Sequence, residues 1–163
     1  MKSNLSFRTK FASFLSMGLL AGSLVFTSCS KDNDNTNDSR MYNVSGNSSG
    51  SQVSPTTSST ATGTLTGTYN ANTNVLQYTI NWSSLTATAA GVELRGPASM
   101  GANGVLVSGL TITTPGATGS ASGNVTLTES QEADLLAGNY YYTVLTATNV
   151  AGEIRGQVTA TAQ

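Results

Sequence analysis

A strict two-residue alternation between residues 75 and 82 is the feature that most restricts how this chain can fold. The apolar residues at every second position of this stretch are Leu76, Tyr78, Ile80 and Trp82. Polar side chains fill the positions between them. Because successive side chains of a β-strand point to opposite faces, the pattern predicts a strand with one buried face.

Similar short stretches, separated by polar turns, predict further strands on both sides of this one. An Asn-rich turn at residues 70–74 makes residues 62–69 the hairpin partner of the first strand. The other predicted strands cover residues 90–95, 105–113 with a kink at Gly109, 123–128, 139–148 and 153–161. About seven strands in roughly 100 residues predict an all-β fold, an Ig-like β-sandwich with Greek-key connections.

One short helix interrupts the predicted strands. Thr128 and Gln131 have the spacing of a capping box, so the helix begins after Thr128. Glu129 and Glu132 suit the positive end of the helix dipole, and we interpret them as helix-start residues rather than ligands. Gly138 is a natural residue to end the helix.

Residues 1–28 have the composition of a signal peptide. Three basic residues precede an apolar stretch at residues 11–26, which is too short and too often broken by Gly and Ser for a permanent membrane span. Phe26-Thr27-Ser28-Cys29 resembles a bacterial lipobox, in which the Cys becomes the acylated N-terminus. The alternative is an ordinary secretory peptide, but an unpaired Cys in a secreted protein favours lipidation of Cys29.

Residues 29–60 are predicted to be the lipidated Cys29 and a flexible linker, because Ser, Thr and Asn dominate and few apolar side chains could be buried. Ser30-Lys31-Asp32-Asn33-Asp34 resembles the lipoprotein export signal of Bacteroidota, which directs lipoproteins to the outer face of the outer membrane. A solvated acidic tether is the alternative. We therefore expect a folded domain at residues 61–163, held to the outer membrane at the cell surface by several acyl chains.

The composition excludes several classes of function. The chain has no His and one Cys, which excludes an intramolecular disulfide, a His-based catalytic triad and zinc, copper or haem sites of ordinary type. A calcium site would need a cluster of acids, which the domain lacks. From Cys29 onward there are four basic and eight acidic residues, a balance that does not suit nucleic acid. We expect no cofactor, no metal and a monomer.

Two similar stretches hold every cation after residue 60, namely Gly91-Val92-Glu93-Leu94-Arg95-Gly96 and Gly152-Glu153-Ile154-Arg155-Gly156. Within each, Glu and Arg share one face of a strand and the aliphatic residue points to the core. A structural reading makes the four charges ties between strands or loops. A second reading makes them a recognition patch for a glycan, peptide or carboxylate, and a third makes the two Glu residues an acid and a base.

Four stretches carry a family resemblance, namely Glu93-Leu94-Arg95-Gly96-Pro97-Ala98, Leu127-Thr128 before the helix, Gly138-Asn139-Tyr140-Tyr141 and Gly152-Glu153-Ile154-Arg155-Gly156-Gln157. Through them residues 61–163 resemble the CHRD domain, the module repeated in chordin and found in bacterial secreted proteins. Three family histidines correspond here to Glu93, Arg95 and Leu145. The resemblance thus implies an extracellular domain without assigned activity, and here without any histidine-based metal site.

These observations predict a non-catalytic, lipid-anchored cell-envelope protein whose domain is a binding or structural module. Its expected partners are the membrane, through the lipid, and an extracellular protein or glycan. The alternative is a glycan-binding or carbohydrate-active surface lipoprotein that uses Glu93 and Glu153. A concave cleft that holds both carboxylates, lined by exposed aromatic rings, would favour that alternative.

Overall fold

A computed structural model describes residues 40–163, so the predictions for the signal peptide and for Cys29 lie outside the described residues. The strands are β1 (Met41–Ser49), β2 (Thr62–Asn70), β3 (Val75–Ser83), β4 (Ala89–Arg95), β5 (Leu106–Leu110), β6 (Ile112–Thr114), β7 (Gly119–Thr126), β8 (Tyr141–Thr146), β9 (Ile154–Gln157) and β10 (Thr159–Ala162). One helix, α1, spans Glu129–Leu136, and a single 3-10 turn spans Gly50–Gln52. Within residues 40–163, no helix has the length and apolar character that a membrane crossing requires.

All ten strands belong to one antiparallel sheet in the order β5-β4-β8-β9-β1-β2-β3-β7-β6, with β10 also paired to β1. The two ends of this order, β5 and β6, are consecutive in the chain and meet at Thr111. Its amide donates to the Tyr78 hydroxyl at 3.0 Å, and its carbonyl accepts from the Ser122 amide at 3.1 Å. The sheet therefore curls into a nearly closed barrel.

This architecture corrects the expected Ig-like sandwich of about seven strands, while the all-β class with one short helix is confirmed. Two predicted strands are each divided by a bend. Residues 105–113 break at Thr111 rather than at Gly109, and residues 153–161 break at Val158, whose amide donates to the Tyr140 carbonyl at 2.8 Å. Such corners let one strand segment pair with a different neighbour from the next, so a single curled sheet replaces two layers.

The alternating face of β3 lies in the barrel interior, as the sequence predicts. Leu76, Tyr78, Ile80 and Trp82 are all at most 3% exposed. Their neighbours in the interior include Val92, Leu94, Tyr142, Val144 and Ile154. The core is thus built from every second residue of the longer strands, and it contains the aromatic residues Tyr78, Trp82, Tyr140 and Tyr142, which form no surface platform.

The helix begins and ends where its sequence signals place it. The Gln131 amide donates to the Thr128 hydroxyl at 3.3 Å, and the Thr128 amide donates to the Gln131 side chain at 2.9 Å. Gly138 has φ of 73°, a left-handed conformation that glycine adopts without steric cost. Its amide donates to the Leu135 carbonyl at 3.0 Å, which closes the last turn of the helix. The Leu135 side chain is buried.

The flexible linker predicted for residues 29–60 is wrong for residues 41–60. β1 pairs with β2 along all nine of its residues and with β9 and β10 on its other edge, so it is a central strand. Its small residues serve close packing, since a Cβ on Gly46 would overlap the Gln157 carbonyl. Residues 50–60 then fold over the outer face of the barrel near β9 rather than leading away from it.

Candidate functional site

The two Glu-aliphatic-Arg-Gly stretches lie on either side of one strand. The first is in β4 and the second runs into β9, and both strands pair with β8. In the resulting register Glu93 is opposite Thr143, and Thr143 is opposite Arg155. The sequence repeat therefore corresponds to two parallel strands that flank β8, offset by two residues.

The glycine that ends each stretch leaves room for a tyrosine ring. The ring belongs to Tyr140, just before β8, in the first stretch and to Tyr142 of β8 in the second. At Gly96, φ is 155° and a Cβ would overlap the Tyr140 ring. At Gly156, a Cβ would lie 2.6 Å from Tyr142 Cε1. Tyr141, between these two tyrosines, points to the opposite face and meets the arginines. The sequence shows the glycines but not the rings that require them.

The first charged pair is a partly exposed ion pair. Arg95 Nε donates to Glu93 Oε2 at 2.6 Å, and Arg95 Nη1 donates to the Gly104 carbonyl at 3.2 Å. The hydrogen bond that Arg95 donates to Glu93 raises the pKa of Arg95 above its ordinary value. The charge of Arg95 is therefore largely balanced within its own strand.

Glu153 is fully buried and holds several segments together. Its Oε1 accepts from the Ser59 hydroxyl at 2.7 Å and the Thr86 amide at 2.8 Å, and its Oε2 accepts from the hydroxyls of Thr86 and Thr146, both at 2.8 Å. Burial alone would raise the pKa of Glu153, but these hydrogen bonds outweigh it and hold the pKa below its ordinary value. The residue is a charged cross-link between the sheet and two loops.

Arg155 is 2% exposed and fixes a different loop. Its Nη1 donates to the Ala102 carbonyl at 2.6 Å, and its Nη2 donates to the Ser99 carbonyl at 3.0 Å. Its guanidinium carbon lies 3.6 Å from the centroid of the Tyr141 ring, in a cation–π arrangement. Its Nε is buried and has no hydrogen-bond partner among residues 40–163.

The environment of Arg155 is unusual for a buried cation. Burial lowers its pKa, and the nearby Tyr141 acts in the opposite direction. The ion pairs of the described residues join Arg40 to Glu132 and Arg95 to Glu93, and neither includes Arg155. Buried charges are ordinarily paired with an opposite charge, whereas Arg155 has carbonyls, an amide oxygen and an aromatic face.

Arg95 and Arg155 line one small pocket of about 160 Å³, which we call the arginine pocket. The remaining residues of its wall are Val53, Ser54, Asn103, Tyr141, Thr143 and Ala151. It lies on the outer face of β4, β8 and β9, beneath the segments that cross that face. Two cationic side chains and no carboxylate line it, so it is suited to an anion.

The structure brings together part of the predicted charge cluster. Arg95 and Arg155 share the arginine pocket and Glu93 is paired beside it, whereas Glu153 belongs to its own hydrogen-bond network. Alternation correctly places Ile154 in the core, but it does not show that the opposite face is covered as well. Tyr141 and Asn103 were not among the predicted site residues, and only their position across the sheet assigns them. Among residues 40–163, no group of three His, Cys, Asp or Glu side chains could hold a metal ion.

Comparison with known proteins identifies the family. A family model described as the CHRD domain matches residues 44–158. No curated protein matches the chain, and no solved structure does. The matched range begins within β1 and includes β4, β8 and β9 with the loops that cover them, so it contains the whole arginine pocket.

Proposed function

The chain belongs to the CHRD domain family, and from this premise we propose that it is a non-catalytic, lipid-anchored protein of the cell envelope whose domain is a binding module. The observation that carries the binding role is the arginine pocket. Arg155 is buried there without a carboxylate partner among residues 40–163, next to a space that a ligand could enter. A purely structural arginine would gain from an internal counter-charge, which this site does not provide.

The anchor is proposed from the sequence before the domain. Phe26-Thr27-Ser28-Cys29 resembles a lipobox, and Cys29 is the single cysteine of the chain. The acidic stretch that follows resembles an export signal to the outer face of the outer membrane. Met41, the first residue of β1, is twelve positions after Cys29, a separation that cannot exceed roughly 40–43 Å even for a fully extended chain. The domain would therefore stand close to the membrane surface.

The placement of the two candidate carboxylates supports a role without catalysis. Glu153 is fully buried and accepts hydrogen bonds on both oxygens, so it cannot reach a substrate. Glu93 is held by Arg95 at 2.6 Å. An acid–base pair would need both carboxyl groups to face one substrate. The carbohydrate-active alternative based on Glu93 and Glu153 therefore gains no support from these positions.

The anchor is tested by metabolic labelling with a fatty-acid probe in cells that produce the wild-type protein or Cys29→Ala. We expect label in the wild type and none in the variant. Protease treatment of intact cells then tests the location, and rapid loss of the domain from unbroken cells is the expected result. A wild-type protein without label, or a domain protected until the cells are opened, would contradict the corresponding part of the proposal.

A further inference from the structure

We propose that the arginine pocket binds a carboxylate group that carries a single negative charge. This inference rests on the proposed binding role of the domain and specifies the chemistry of its ligand. It starts from the charges around the pocket. Arg95 is paired with Glu93 by a 2.6 Å ion pair, whereas Arg155 has no anionic partner among residues 40–163. The pocket therefore has one uncompensated positive charge.

That single charge favours a monoanion over a dianion. A carboxylate would balance Arg155 and leave the ion pair of Arg95 intact. A phosphate or sulfate dianion would bring a second negative charge close to Glu93, and like charges in a partly buried site repel.

Two unsatisfied groups lie around the pocket. Arg155 Nε is buried and has no acceptor among the described residues, so the positive charge beside the pocket is not fully satisfied. The Tyr141 hydroxyl accepts from the Gly104 amide at 3.1 Å, which leaves its own proton for another acceptor. Asn103, by contrast, already donates to the Ser54 carbonyl at 2.9 Å. The unsatisfied guanidinium nitrogen and the free hydroxyl proton thus belong to the stacked pair of Arg155 and Tyr141.

The size of the pocket limits the rest of the ligand. At about 160 Å³ it is well below the roughly 300–1,000 Å³ of typical drug-sized sites. It can hold a carboxylate with a few attached carbon atoms, and the side chains of Val53 and Ala151 provide apolar contact for them. We infer that the pocket accepts a small carboxylate or the carboxylate-bearing end of a larger molecule.

The arginine side chains allow a direct test by NMR on the purified full chain. The sequence has four arginines, namely Arg8, Arg40, Arg95 and Arg155, so the Nε–H region of the spectrum is simple and can be assigned by substitution. Sodium acetate is added at constant ionic strength. We expect saturable shifts of the Arg95 and Arg155 signals at millimolar acetate, while the Arg40 signal stays in place.

Two variants make the assignment specific. Arg95→Gln removes one wall of the pocket at a partly exposed position, and we expect at least about a tenfold loss of acetate affinity because one charge-assisted contact is removed. Arg40→Gln is the matched control, since it removes the same charge from an exposed site, and it should leave the affinity unchanged. Circular dichroism verifies that both variants are folded, so the test does not depend on a substitution of Arg155.

Other ligands decide the chemical class. Binding of sulfate or phosphate as tight as that of acetate, or tighter, would overturn the preference for a monoanion. The absence of a saturable shift with acetate, N-acetylglycine and glucuronate would overturn the site itself. Tighter binding of N-acetylglycine than of acetate would support a chain-terminal carboxylate as the source, and tighter binding of glucuronate would support a sugar acid. Acetate binding by a protein that takes no fatty-acid label would contradict the proposed lipid anchor and support the proposed carboxylate site. A labelled protein whose arginine signals do not shift with any carboxylate would support the anchor and contradict the carboxylate site.

Discussion

Glu153 and Arg155 are two residues apart, oppositely charged and both buried, yet they do not pair with each other. Glu153 accepts hydrogen bonds from Ser59, Thr86 and Thr146, whereas Arg155 donates to the carbonyls of residues 99 and 102. Each charge therefore holds a different loop against the outer face of the barrel. This separation leaves the carboxylate saturated with donors and the guanidinium in need of an acceptor.

Glu153→Gln should lower the free energy of unfolding by about 2–3 kcal/mol, because a neutral amide replaces a carboxylate that accepts several buried hydrogen bonds. The amide nitrogen would also face a hydroxyl or an amide that now has no acceptor. Urea denaturation of the purified protein measures the change. Glu93→Gln is the control with the same chemistry at a partly exposed pair, and its cost should be below about 1 kcal/mol. Equal losses would contradict the special role of Glu153.

The low pKa of Glu153 predicts a pH dependence of stability. The unfolded chain binds a proton at Glu153 near the ordinary value of 4.5, and the folded chain binds it only at lower pH. The stability from the ionised carboxylate is thus fully present above pH 4.5 and is lost as the pH falls through the folded-state pKa. Denaturation at a series of pH values should show the difference between wild type and Glu153→Gln shrinking below that point. A constant difference down to acid pH would argue against this linkage.

Arg155→Lys should lower the melting temperature even though it keeps the positive charge. Lysine cannot donate to both the Ala102 and Ser99 carbonyls in the fixed geometry of the guanidinium, nor stack as a planar group on Tyr141. The free energy of unfolding should fall by about 2–3 kcal/mol. Proteolysis in the loop at residues 98–104 should become faster as well. Arg95→Lys, at a partly exposed position, should have a smaller effect, and an unchanged melting temperature for Arg155→Lys would leave recognition as its only role.

Local sequence signals were sufficient for the elements that depend on nearest neighbours. The alternation of residues 75–82 identified β3 and its buried face, the capping box at Thr128 identified the start of α1, and Gly138 identified its end. These features follow from backbone geometry and from contacts within a few residues. They hold whatever the rest of the chain does.

Features that depend on distant segments could not be predicted in this way. β1 has few apolar side chains, and it is a strand because β2 on one edge and β9 and β10 on the other satisfy its backbone. Alternation also shows which residues share a face but not whether a loop covers that face. The sequence therefore leaves open whether Arg155 is exposed, and in the structure loop segments around residues 53 and 102 bury it.

Gly156→Ala should destabilise the protein because Tyr142 and the Asn47 carbonyl occupy the space a methyl group needs. The added Cβ would lie 2.6 Å from Tyr142 Cε1 and 2.8 Å from that oxygen. We expect the free energy of unfolding to fall by about 1–3 kcal/mol, as for other overpacked sites. Gly109→Ala is the matched control in a strand, since nothing lies within 4 Å of its Cβ position, and it should change stability by less than about 0.5 kcal/mol. Urea denaturation of both variants decides the comparison.

The position of β1 predicts where the domain can be shortened. A protein of residues 40–163 should fold, because it keeps β1 and the ion pair between Arg40 and Glu132 at 2.6 Å. A protein of residues 61–163 loses the central strand, which exposes the edges of β2, β9 and β10 together and removes Ser59 from Glu153. Unpaired edges of that extent promote aggregation.

We therefore expect cooperative thermal unfolding by circular dichroism for residues 40–163 and none for residues 61–163. Val44→Asp in the longer protein tests the same point without truncation, because Val44 of β1 is 2% exposed and an unpaired carboxylate there is costly. It should abolish the transition or lower its midpoint severely. Cooperative unfolding of residues 61–163 at an unchanged midpoint would instead make β1 a peripheral addition to a domain that is complete without it.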